Sequence, residues 1–128
     1  MLIKIDTYAE KPIYEQLRDC IITGIASGRL KEGESLPSAR NLAADLGVSF
    51  HTVNKAYDIL RGGGYIVMNR RTTAIVAPKK PRGTILETLS ERLALCAAEA
   101  ICGGVGEEEF IKICAENYKN LKGAAMND

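Results

Sequence analysis

The sequence predicts a mainly α fold with a small β wing: a winged helix-turn-helix domain over residues 1–78, then a two-helix segment over 84–123. Three observations predict it. Apolar residues recur at helical spacing in separate stretches before and after a proline-bounded linker. Two of those stretches, 38–46 and 49–61, are joined only by Gly47 and Val48, the short glycine-containing connection of a helix-turn-helix. After Gly62-Gly63-Gly64, two β-prone runs, 65–68 and 73–77, flank Asn69-Arg70-Arg71-Thr72 as the arms of a hairpin flank its turn.

Taken in order, the elements justify themselves locally. Residues 2–6, LIKID, alternate apolar and polar and are expected as a short strand. Pro12 suits a first helical position, where a missing N–H costs nothing. Ile13, Leu17, Ile21 and Ile25 then recur every four residues, with Cys20 and Gly24 beside them, so an amphipathic helix is expected over 11–27, stopping at Ser27-Gly28. A turn-rich connection, LKEGESLPS, leads to Ser38, a suitable N-cap for a second helix that buries Leu42, Ala43 and Leu46. Gly47 tolerates the left-handed conformation at that helix's end. Ser49 caps the third helix, whose inner face is Val53, Ala56, Tyr57 and Leu60.

Pro78 and Pro81 bound a linker assigned to 79–83, across which the charge changes sign. Beyond it, Ile85, Leu89, Leu93, Cys96 and Ala100 form one helical stripe. Gly103-Gly104 breaks that helix, and Glu107-Glu108-Glu109 suits the positive end of the next. Its stripe is Phe110, Ile113, Cys114, Tyr118 and Leu121, and residues 124–128 are expected as a disordered tail. Two short helices cannot bury both stripes against each other, so Ile85, Leu89, Leu93, Cys96, Phe110, Ile113, Tyr118 and Leu121 are candidates for a homodimer interface.

Composition narrows the function classes. A chain of 128 residues, 46% hydrophobic and 26% charged, can bury a core without disulfide or structural metal. With two Phe and no Trp, that core must be mostly aliphatic. Residues 1–80 hold 12 Lys/Arg against 8 Asp/Glu, net +4, whereas residues 81–128 are net −3, so only the first part attracts a polyanion. The start lacks a signal-peptide pattern and no stretch approaches the length of a membrane span, which predicts a cytoplasmic protein without membrane partners. Cys20, Cys96, Cys102 and Cys114 form no CxxC pair, so neither a metal site nor a cofactor is expected, and the four are read as small buried apolar residues. The sole histidine, His51, has no sequence-local partner for acid–base work, no serine lies in a nucleophile elbow, and no Lys-Ser/Thr follows the glycine run. An enzyme is not expected.

The residues left facing outward point to nucleic acid. A recognition helix offers its first turns to base edges in the major groove. Here those turns carry Phe50, His51, Asn54 and Lys55, with Thr52 able to offer a hydroxyl to a phosphate. Asn54 can make the paired donor–acceptor contact of adenine, and Phe50 can meet a thymine methyl or pack against the hairpin. Arg40 and Ser38, at the start of the second helix, are placed for a phosphate or groove edge. Arg70 and Arg71 at the hairpin tip suit a narrow minor groove. A protein-contact module, or a thiol or metal sensor using Cys96, Cys102 and Cys114, is the alternative reading.

The runs P-I-Y-E-Q-L (12–17), I-A-S-G-R-L (25–30), E-G-E-S-L-P-S-A-R-N-L-A (32–43) and L-G-V-S-F-H-T-V-N-K-A-Y (46–57) resemble the GntR family of bacterial regulators, in its YtrA-like branch. The resemblance covers nearly all of residues 8–77. It implies a winged-helix DNA-binding domain acting as a homodimer on an inverted-repeat, double-stranded DNA operator. It also implies a repressor whose last two helices serve dimerisation, and it identifies no small-molecule effector. The family's DNA contacts fall on Arg40, Ser49, Phe50, His51, Thr52, Asn54, Arg70 and Arg71. Asn41 stands where family members carry Glu.

Overall fold

The computed structural model describes residues 3–69, 73–79 and 82–127, with the backbone alone at 82, 84 and 124–127. The element order is α1 (Ile13–Ala26), α2 (Ala39–Leu46), α3 (Phe50–Gly62), β1 (Ile66–Asn69), β2 (Thr73–Val76), α4 (Arg82–Cys102) and α5 (Glu107–Asn127). The chain divides after Lys79 into two compact units.

In the first unit, α3 is the central element, packed by α1 and α2 and joined to β1. Pro12 has extended backbone and is the N-cap of α1, one place ahead of its expected position. Leu17 and Ile21 are fully buried, and Ile13 and Ile25, expected on the same stripe, are half-buried at its margins. Ser38 caps α2 by accepting from Asn41 N–H, and Ser49 caps α3 by accepting from Thr52 N–H, as expected. Between them Gly47 sits at φ 70°, which a side chain would strain, so the two helices can turn within three residues. On α3, Val53, Ala56, Tyr57 and Leu60 are all buried, as their spacing predicts.

β1 and β2 pair antiparallel in the register Ile66↔Val76 to Asn69↔Thr73. Ile66, Ala74 and Val76 turn into the core, while Val67 and Met68 stay exposed. The glycine run serves the joint between α3 and β1. Gly64 takes φ 78°, and the Tyr65 N–H returns to the Leu60 carbonyl at 2.9 Å.

Two features depart from expectation. Residues 3–6 form no strand. Ile3 and Ile5 do pack on the core, so the alternation marks burial, but the backbone is held by a side chain instead of a sheet. Gln16 accepts from the Asp6 N–H at 2.8 Å and donates to the carbonyls of Asp6 and Lys11. The outer edge of β2 is taken by the connection read as simple turns. Gly33 N–H donates to the Val76 carbonyl, Val76 N–H to Glu34, and Leu36 N–H to Ala74. That pairing brings Leu36 into the core, and Leu30, whose N–H donates to the Gly24 carbonyl of α1, is buried as well; no local periodicity indicates either.

Tyr57 ties α3 to this connection: its hydroxyl donates to the Pro37 carbonyl at 2.7 Å. Burial pushes its phenol up to about 12. In the unfolded chain a tyrosine ionises near 10. Between those values the unfolded state releases its proton first, so stability falls as pH rises from about 10 to about 12, by roughly 2–3 kcal/mol. Tyr57→Phe is expected to remove this alkaline loss while costing about 1 kcal/mol at neutral pH through the lost hydrogen bond. Urea unfolding of both proteins on either side of that window measures it; equal alkaline slopes would count against it.

The second unit consists of α4 and α5, joined by a turn in which Val105 N–H returns to the Ala100 carbonyl. α4 starts at Arg82, inside the stretch assigned to the linker, because neither Arg82 nor a single Gly83 is enough to stop a helix. α5 continues to Asn127, across most of the segment expected as a disordered tail. Nearly every described side chain of this unit is exposed, including Ile85, Leu89, Leu93, Ile113, Tyr118 and Leu121; Phe110 is half-buried. Leu86, Leu95, Ile101 and Ile111 add apolar surface outside the expected stripes. Cys96, Cys102 and Cys114 are exposed and Cys20 is half-buried, which corrects the expectation of four buried cysteines. Among the described residues no helix is long and apolar enough to cross a membrane, and no three potential ligands cluster for a metal ion.

Candidate nucleic-acid interface

The two caps set the geometry of the site. Ser38 and Ser49 each place a hydroxyl at a helix N-terminus, where unpaired N–H groups and the positive helix end favour an anion. Each oxygen accepts one backbone N–H, at 3.1 and 3.2 Å, and the Ser38 hydroxyl keeps its own proton to donate. At Ser49 the hydroxyl is also 2.9 Å from that of Thr52, which joins the two into one polar pair at the start of α3.

Because Val53, Ala56, Tyr57 and Leu60 are buried, the opposite face of α3 is fixed toward solvent. His51 and Asn54 are exposed there, and Phe50 is half-buried. Ser38, Arg40, Phe50 and Asn54 line one depression of about 290 Å³, together with Asp58, Arg61 and the hairpin residues Met68 and Ala74. Four of the expected contact residues, from two helices, are therefore brought to one surface beside the wing.

Within it, the Arg40 guanidinium lies over the Phe50 ring, 4.6 Å from its centroid, and the His51 ring meets Phe50 edge-on at 5.7 Å. Spacing along either helix does not reveal this stack, because it joins residues on different helices. Lys55 stands apart from the group: its ammonium lies 4.0 Å over the ring of Tyr14 on α1. Asp58, the one carboxylate on this face of α3, is paired with Arg61 at 2.6 Å, which offsets a charge that would repel phosphate. Arg70 and Arg71 lie outside the described residues.

Comparison with known proteins identifies the family of the helix-turn-helix and hairpin region. The family described as bacterial regulatory proteins, gntR family, matches residues 12–76, which span the helix-turn-helix and the hairpin. An HTH-type transcriptional regulator of Mycobacterium tuberculosis is 35% identical over 98 residues, covering 77% of this chain and 73% of its own. The HTH-type transcriptional repressor YtrA of Bacillus subtilis is 29% identical over 136 residues, covering 99% of this chain and 100% of its own. Among solved structures, one titled transcriptional antiterminator from Listeria monocytogenes aligns with a TM-score of 0.84 at 27% identity, over 94% of this chain and 92% of that one. The chain belongs to the GntR family, in its YtrA-like branch, and is a DNA-binding regulator of transcription rather than an enzyme.

Proposed function

We propose that the protein is a cytoplasmic repressor that binds an inverted-repeat operator as a homodimer. The observation that carries the DNA half of this reading is the convergence of Ser38, Arg40, Phe50 and Asn54 on one depression at the exposed start of α3. In it, α3 lies in the major groove, with Asn54 and His51 toward base edges and Ser38, Ser49 and Thr52 toward phosphates. Arg70 and Arg71 extend the contact into the minor groove. The dimer half is supported by the uncovered apolar faces of α4 and α5, since a contiguous exposed apolar surface marks an interaction site. The similarity to a repressor along its full length supports repression as the outcome.

Selection of bound duplexes from a random pool tests the reading: an inverted repeat is expected, with affinity falling steeply as salt rises. A pool that yields no inverted repeat defeats it. Two variants refine it. Asn54→Ala is expected to cost roughly 1–3 kcal/mol and to relax specificity at one base pair of each half-site. Arg40→Ala is expected to weaken binding without lowering the melting temperature, because the exposed Arg40 has no place in the core.

A further inference from the structure

We propose that Phe50 is a positioning residue for Arg40: its ring holds the guanidinium over the start of α3 before DNA arrives, and its contribution to binding passes through that arginine. This rests on the reading of the α2–α3 face as the DNA interface. A phenylalanine at the first exposed place of a recognition helix otherwise reads as a direct base contact, through a thymine methyl. The geometry points elsewhere. The ring is half-buried, one face is covered by the Arg40 guanidinium at 4.6 Å, and the His51 ring lies against it in a T-shaped arrangement, with centroids 5.7 Å apart and an interplanar angle of 61°. Met68 and Ala74 of the hairpin share the depression, so the ring sits between α2, α3 and the wing.

Arg40 needs such a partner. It is exposed, and among the described residues it makes no ion pair. A free arginine side chain loses several rotamers when it is fixed on DNA. Holding the cation over an aromatic face restricts those rotamers beforehand, and the five N–H donors of a guanidinium leave some for a phosphate or a base edge. Lys55 and Tyr14 form a second cation–ring pair, but it faces α1. Among the described residues, the Arg40–Phe50 pair is the cation–ring pair that belongs to this depression.

The test is a double-mutant cycle on the full chain, with the operator duplex obtained by selection. Phe50→Leu keeps an apolar group but removes the ring, and is expected to weaken binding about three- to tenfold. Phe50→Tyr keeps the ring and is expected to bind within about twofold of the parent. In an Arg40→Ala background, Phe50→Leu is expected to change little further. The free protein supplies an independent readout: the Arg40 side-chain protons carry an upfield ring-current shift that Phe50→Tyr retains and Phe50→Leu loses.

Losses that add in the double variant overturn the proposal, and losses confined to duplexes bearing one particular thymine assign Phe50 to a direct base contact instead. An absent ring-current shift in the parent overturns it even if Phe50→Leu fails to fold. If Arg40→Ala binds like the parent, Arg40 is no contact and the proposal falls. The wider interface reading then stands or falls on Asn54→Ala.

Discussion

A chain ending after Lys80 is expected to be monomeric and to bind the full operator roughly 10²–10⁴-fold more weakly than the intact protein. Joining two half-site readers makes the second contact intramolecular, and gains of that order follow without any new DNA contact. The domain left behind keeps its core, because Leu17, Ile21, Leu30, Leu36, Leu42, Val53, Leu60, Ile66 and Val76 all lie before residue 80. Its melting transition should therefore persist, which separates loss of pairing from loss of fold. What disappears is the apolar surface of α4 and α5, where Leu95 is 65% exposed and Ile101 76% exposed. Exposed apolar surface of that kind marks an interaction site, which a second copy of the chain would cover. Sedimentation of the intact and shortened chains measures the pairing, and titration against duplexes with one or two half-sites measures its effect. The intact protein should strongly prefer two half-sites and the shortened one should not. A shortened protein that remains dimeric would sink the idea.

The second large effect is expected at Leu60. Replacing this fully buried side chain with Ala should cost about 2–5 kcal/mol, through lost transfer energy and the cavity left behind. Leu60 occupies the last turns of α3, and its carbonyl accepts the Tyr65 N–H that begins the wing. It thus belongs to both the helix core and the joint. A loss of this size is a large share of a small domain's total stability, so DNA binding should fall at temperatures where the parent still binds. Val67→Ala, on the exposed face of β1, is the control and should cost well under half as much. Thermal unfolding followed by circular dichroism compares the two; equal losses would show that the core is not centred on α3.

Much of the DNA-binding unit was legible from local chemistry. Ser38, Gly47 and Ser49 each work through the backbone within three or four residues, so their roles as caps and turn follow from residue type and position. The inner face of α3 follows from helical spacing alone, and with it the outward placement of His51 and Asn54. The strand expected at residues 2–6 failed for a reason of the same kind. Alternation reports burial, and Ile3 and Ile5 are indeed against the core, but a strand also needs a neighbouring edge, which no local pattern encodes. Leu36 was read as part of a turn because its burial depends on backbone pairing with β2, some 40 residues away in sequence.

By itself, then, the sequence determined which segments become helices, where the caps of α2 and α3 fall, and which face of the recognition helix is free, because each rests on contacts within one or two helical turns. The tertiary structure alone decided how residues from different elements meet. It set Arg40 on Phe50, turned Lys55 toward Tyr14, closed Tyr57 onto Pro37 and left the cysteines of α4 and α5 in the open. Such contacts join residues 10 to 41 places apart, and the packing of a shared core, not the propensity of either segment, sets the distance between them.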